Sequence, residues 1–151
     1  MRNLLLALLA WAATSCIGFT EGRDLALVLT VEPTQVARTD SVEVTLLVIN
    51  RSTHSVSATS PDAYGACVHA FQVVSDSNRE VAVPTLLCAQ IAFPPLELLP
   101  GDSVTVVDYW KPGVSTLDGQ PLPAGDYRLA GLYHAAGEVL FSAMVGIRLI
   151  D

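Results

Sequence analysis

From position 42 to position 48 every second residue is apolar: Val42, Val44, Leu46 and Val48. Ser41, Glu43 and Thr45 occupy the intervening positions before Leu47 and Ile49 take them over. Alternate residues of a strand point to opposite faces. This stretch therefore predicts a strand with one face buried throughout and the second covered towards its end. Residues 103–110 repeat the pattern, with Val104, Val106 and Trp110 in phase, and residues 25–31, 68–74, 127–134 and 139–150 are further β-rich runs. Residues 54–59 and 80–83 read as shorter strands. Turn residues separate the runs: Pro33 and Arg38-Thr39-Asp40, Asn50-Arg51-Ser52-Thr53, Ser60-Pro61-Asp62, Asp76-Ser77-Asn78, and Ala135-Ala136-Gly137-Glu138. Pro84, Pro94, Pro95 and Pro100 confine the chain between them to short or edge segments, because proline cannot donate to a ladder. Residues 111–125 hold three prolines and three glycines and predict a long loop. No helical stripe of ten or more residues occurs outside the first sixteen. Seven to nine short strands with regular turns predict an all-β chain, with two antiparallel sheets packed face to face.

The first sixteen residues follow a different plan. Arg2 precedes an unbroken apolar run from Leu4 to Ala13, and Thr14-Ser15-Cys16 closes it with small residues. A basic start, a short apolar stretch and a small-residue end are the parts of a secretory signal. Ten apolar residues fall short of the roughly twenty that a membrane-spanning helix needs. Ala13-Thr14-Ser15-Cys16 resembles the lipobox of bacterial lipoproteins, which implies a lipidated Cys16 as the mature N-terminus. Ordinary signal-peptidase cleavage, using Ala13 and Ser15, is the alternative. The expected organisation is a signal peptide over 1–15, a lipidated N-terminus and tether over 16–24, and a sandwich over 25–151.

Export decides how the three cysteines are read. Disulfides persist outside the cytoplasm, so Cys67 and Cys88 are expected to pair, leaving Cys16 for the lipid. A loop of about twenty residues closed this way contributes roughly 3 kcal/mol on the chain-entropy estimate. The competing reading is metal: Cys67 and His69 alternate on one strand face, and His54, His134 or Cys88 would have to complete the set. Met144 could serve a copper site only beside a closely following His and Met that no cysteine here has. Neither metal nor cofactor is expected.

Charge narrows the partners. The signal carries one of the eight basic residues and none of the fifteen acidic ones, so the mature charge is −8. With Lys111 as the single lysine, clustered phosphate contacts are excluded, and with them nucleic acid. Electrostatic docking on anionic lipid is disfavoured for the same reason. No Gly-x-Ser-x-Gly, paired carboxylates or phosphate-cradling glycine loop is present, so an enzyme is not expected. Asn50-Arg51-Ser52 matches a glycosylation sequon, but in a bacterial setting it reads as a turn.

Phe71-Gln72-Val73 with Asp76, Leu98-Leu99-Pro100-Gly101, Trp110, and the run from Gly119 through Gly125-Asp126-Tyr127 occur in that order. With Asn50-Arg51-Ser52 ahead of them, they resemble the BsuPI family, named for an intracellular proteinase inhibitor. The resemblance covers about residues 25–133 and implies an immunoglobulin-like β-sandwich and a proteinase as partner. Its residues also have independent physical roles: Pro100-Gly101 suits a type II turn, Trp110 plugs the core, and Tyr127 covers one end of it.

These readings lead to an exported, lipid-anchored binding module that engages a protein partner in the bacterial envelope. Secretion into the medium is the alternative address. The alternative role is a structural or assembly protein joined through strand edges. Binding residues are expected on the long loops: Pro61, Asp62 and Tyr64 in the first, and Lys111, Val114, Leu117 and Asp118 in the second.

Overall fold

A computed structural model describes residues 16–20, 24–65, 68–77, 81, 93–113 and 121–151. The strands are β1 (Cys16–Thr20), β2 (Leu25–Glu32), β3 (Gln35–Ala37), β4 (Val42–Asn50), β5 (Val56–Ala58), β6 (Phe71–Ser75), β7 (Leu96–Leu98), β8 (Ser103–Trp110), β9 (Gly125–Ala135) and β10 (Glu138–Ile150). A 3-10 turn, Pro61–Ala63, lies between β5 and β6, and the described residues include no α-helix.

One sheet has the order β1-β2-β4-β8, antiparallel throughout. The other runs β3-β10-β9-β5-β7, with β6 also on β9. Its exception to antiparallel pairing is β3, which runs parallel to the end of β10. The chain passes from the first sheet to the second at the cis peptide Glu32–Pro33. The ten strands among the described residues exceed the seven to nine expected. The additions are β3, too short for a pattern, β7, a short segment of the proline-rich stretch, and β1, which occupies residues assigned to the tether and pairs along β2 from Cys16↔Val31 to Thr20↔Leu27. The return strand expected at 80–83 lies outside the described residues except for Val81, whose amide donates to Val73 O at 2.9 Å.

The core follows the alternation. Val42, Val44, Leu46 and Val48 are fully buried, facing Leu129, Tyr133, Val145, Ile147 and Leu149 of the second sheet within one apolar cluster. The sheets approach so closely at Gly131 that an added Cβ would lie 2.5 Å from Leu46 Cδ1. Opposite it, β10 bulges between Phe141 and Met144. Ser142 Oγ, buried in the bulge, accepts from Gly131 N at 2.7 Å and donates to Ala143 O at 2.8 Å, so both the hydroxyl and this amide are satisfied.

At one end Trp110 is fully buried and meets Tyr127 edge-on, with ring centroids 6.5 Å apart. Tyr127 opens β9 and donates through its hydroxyl to Pro123 O, four residues upstream, at 2.9 Å. The same hydroxyl-to-upstream-carbonyl bond forms the tyrosine corner of immunoglobulin-like sandwiches. At the other end Pro100-Gly101 forms the expected turn, with Gly101 at φ 85° and Asp102 N donating to Leu99 O at 2.9 Å.

Candidate functional site

The flank between β8 and the second sheet is closed by residues 59–65 and 68–70, and a carboxylate holds one end of this segment. Asp108 sits in phase with Val106 and Trp110, pointing inward from a strand that pairs, among the described residues, only with β4. It is buried. His69 Nδ1 donates to its Oδ2 at 3.0 Å, Ala70 N to the same oxygen at 2.9 Å, and Tyr109 N to Oδ1 at 2.7 Å. A carboxylate only accepts, so the Nδ1 of His69 carries a proton and Nε2 is turned away from the contact. The His69 ring leans on Phe71 at 5.2 Å. A buried charge is tolerated when it is paired and hydrogen-bonded, and three donors meet that condition.

The other end of the segment is fixed to β9 by tyrosines. Tyr64 stacks on Tyr133 at 5.4 Å and 14°. Its hydroxyl accepts from His134 N at 2.8 Å, while Tyr133 donates to Thr59 O at 2.8 Å. Burial pushes the Tyr64 phenol up to about 12, the His134 amide partly offsetting it. Burial also raises Tyr133, helped by Tyr64 beside it. Between the two anchors the backbone closes on itself through Gly65 N to Val68 O and Val68 N to Ala63 O, at 2.8 and 3.2 Å.

Asn50 does the same work at the end of β4. It is 1% exposed. Nδ2 donates to His54 O and Leu98 O, both at 2.9 Å, and Oδ1 accepts from Ser52 N and Ser52 Oγ at 2.9 and 2.8 Å. The sequon asparagine is thus the internal partner of its own turn and of β7, as the turn reading requires.

The expected binding residues divide. Asp62 is exposed and Pro61 half-buried on the flank, but Tyr64 is only 6% exposed and belongs to the core, which corrects its assignment as a contact residue. The reason is its stacking on Tyr133. Lys111 is exposed, whereas its neighbours Pro112 and Leu122 are buried against the sandwich. Val114, Leu117 and Asp118 lie outside the described residues, as do Cys67 and Cys88. Cys16 is placed by its backbone at the start of β1. The two loops do not share one end of the sandwich: the first runs along the β8 flank, and the second follows Trp110.

The histidines do not converge. His54 Nε2 meets Asp24 at 3.2 Å on the surface, His69 is held by Asp108, and His134 lines a shallow cleft of about 330 Å³ with Ser57, Thr59, Pro95 and Glu138. Among the described residues no group of three metal-ligating side chains forms, nor is any helix long and apolar enough to cross a membrane.

Sequence reasoning passed over the outward row of β10. Val139, Phe141 and Met144 are 45, 48 and 51% exposed. They pair with His134, Leu132 and Ala130 of β9. The signal was present in the run 139–150, where apolar residues fill both phases of the alternation.

No family model matches the chain, and no curated protein does. Among solved structures, the β-glucosidase EmGH1 of Erythrobacter marinus is similar at 15% identity and a TM-score of 0.47 over 90% of this chain. A β-glucosidase of Listeria innocua is similar at 14% and 0.42 over 82%. The chain spans 16% of the length of either glucosidase. An ApaA protein from Bordetella pertussis is similar at 13% and 0.41, over 88% of this chain and 94% of that one. Likenesses at these TM-scores carry no argument about activity.

Proposed function

We propose that the chain is an exported binding module of the bacterial cell envelope, anchored by lipid on Cys16 and engaging a protein partner. The observation that carries the reading is the contrast between buried polar and exposed apolar groups. Asn50, Asp108, Ser142, Tyr64, Tyr127 and Tyr133 spend their polar atoms on the scaffold. Among the large apolar side chains left to solvent, Val139, Phe141 and Met144 stand in one row. A contiguous apolar row on a rigid sheet is the ordinary mark of a protein contact, whereas chemistry needs polar groups aimed outward. The BsuPI resemblance makes a proteinase one candidate partner. A disulfide between Cys67 and Cys88 belongs to the same reading.

Mild crosslinking of the full chain in its own envelope, followed by mass spectrometry, tests the proposal. Expected results are an acylated N-terminal Cys16, a Cys67–Cys88 peptide lighter by two hydrogens, and a captured protein that is lost from Phe141→Ser/Met144→Ser with an unchanged melt. Capture that survives the double substitution removes the row from the contact, and an unmodified chain in the medium removes the anchor. The alternative role, assembly through strand edges, meets an obstacle at β8, the edge of its sheet among the described residues, where Asp108 puts an inward charge, a known means of preventing edge pairing.

A further inference from the structure

That obstacle supports an inference beyond the binding-module reading. We propose that Asp108 is the latch of a closed interaction edge: while it holds residues 68–70 across the flank the chain stays single, and once it lets go β8 pairs with the β8 of a second copy.

Apart from Asp108, β8 is built like a strand meant to be paired on both sides. Ser103, Thr105, Val107 and Tyr109 face outward and Val104, Val106 and Trp110 inward. The strand contains no proline, lysine or arginine, the residues by which natural edges are usually blunted. Its eight residues make it as long as β2, and its outward residues carry no charge that would meet its like in a second copy.

Asp108 interferes in two ways. It draws His69 and Ala70 over the flank, with contacts of 3.0 and 2.9 Å, and it occupies the amide of Tyr109 at 2.7 Å. Gly65, in the left-handed region at φ 72°, brings the same segment to the carboxylate from the other side.

The geometry of self-pairing follows from parity. Cross-strand neighbours point to the same face, and two identical strands related by a two-fold axis pair isologously. An antiparallel pairing centred on Val107 sets Tyr109 of each copy opposite Thr105 of the other, an aromatic against a β-branched side chain. It sets Asp108 opposite Val106 on the inward face. An ionised carboxylate stripped of its His69 and Ala70 donors beside a valine is strongly unfavourable, so pairing and latching exclude one another.

The test is disulfide capture in the full chain, with the parent lacking the added cysteine as control. Val107→Cys places one thiol at the proposed axis. With Asp108 intact, little dimer is expected on a non-reducing gel. Adding Asp108→Val, which completes the apolar inward row, is expected to raise captured dimer about tenfold or more, the response to a shift of about 1.4 kcal/mol in the pairing equilibrium. A further Thr105→Pro should return it to the starting level. Equal capture with Asp108 intact overturns the proposal, as does no increase in an Asp108→Val chain that keeps its β-sheet circular dichroism. If Asp108→Val does not fold, His69→Ala decides between the same two results, since it removes one donor and leaves β8 unchanged.

Discussion

Truncating Asn50 to alanine removes four hydrogen bonds at one buried point, and their consequences differ. The bond from Nδ2 to Leu98 O is buried and ties the end of β4 to β7, 48 residues away in sequence. The bonds to His54 O, Ser52 N and Ser52 Oγ are partly solvated, so water replaces much of what is lost there. Leaving a buried acceptor without a donor costs about 1–3 kcal/mol, and each partly exposed bond contributes a fraction of the usual 1 kcal/mol. Together they set the expected loss for Asn50→Ala at about 3 kcal/mol, a large share of a domain's total stability. In a domain of this size that lowers the melting temperature by roughly 10 °C. Ser52→Ala loses the bonds of its hydroxyl alone, and its effect should stay near 1 kcal/mol. Paired far-UV circular dichroism melts of the two variants provide the measurement. An Asn50→Ala chain melting within about 2 °C of the parent would refute the argument, because Leu98 O would then have found another donor. Equal losses for both variants would place the stabilisation in the local turn and not in the link to β7.

Three further outcomes are expected. Tyr127→Phe, which loses only the bond to Pro123 O, should cost about 1 kcal/mol, whereas Tyr127→Ala, which also vacates the space beside Trp110, should cost about 3–5 kcal/mol in the same melts. Leu122→Ser should destabilise by roughly 2 kcal/mol because Leu122 is buried, and Lys111→Ser should stay within about 0.5 kcal/mol because Lys111 is exposed. In an alkaline titration followed by phenolate absorbance, Tyr64, raised from 10.0 to about 12, should ionise late. The folded state keeps this proton while the unfolded chain gives it up, so its stabilising effect is complete below pH 10.0 and is lost as the pH climbs towards 12. Tyr133 acts in the same direction, and a chain whose melting temperature rises across that window would contradict both assignments.

Much of the sandwich was legible because apolar alternation is a local signal. β4 and β8 appeared almost residue for residue, and Pro100-Gly101 announced its turn through proline's fixed dihedral and glycine's positive one. The elements that escaped are those whose cause lies far along the chain. β3 is three residues held by β10, more than a hundred positions later. β1 has an unremarkable composition and pairs as a strand on the edge of β2, whose distant register its own five residues do not announce. Tyr64 reads as a loop residue until Tyr133 is set beneath it. Asp108 did leave a trace, as the charged member of the row Val104, Val106, Asp108, Trp110. At an inward position of an apolar alternation, a charge is either an error of register or the mark of a buried partner, and here it is the second.

The buried polar residues obey one rule, which bears on where recognition can occur. Asn50 stands where β4 ends, Ser142 where β10 bulges, and Asp108 where the first sheet stops. Each is placed where backbone groups leave regular pairing and need another partner. Polar side chains committed in this way are not available to a ligand, since recruiting one would strand the amide or carbonyl it serves. Recognition is then left to groups that hold nothing else in place. In this chain the exposed apolar side chains Val139 and Met144 of β10 and, behind the hold of Asp108, Val107 of β8 are such candidates. The two rows differ in access, because the β10 row is open in the ground state, whereas pairing along the β8 edge first requires residues 68–70 to give up Asp108. A partner that binds without delay should therefore depend on Met144, and association that appears only after Asp108 is altered should depend on Val107.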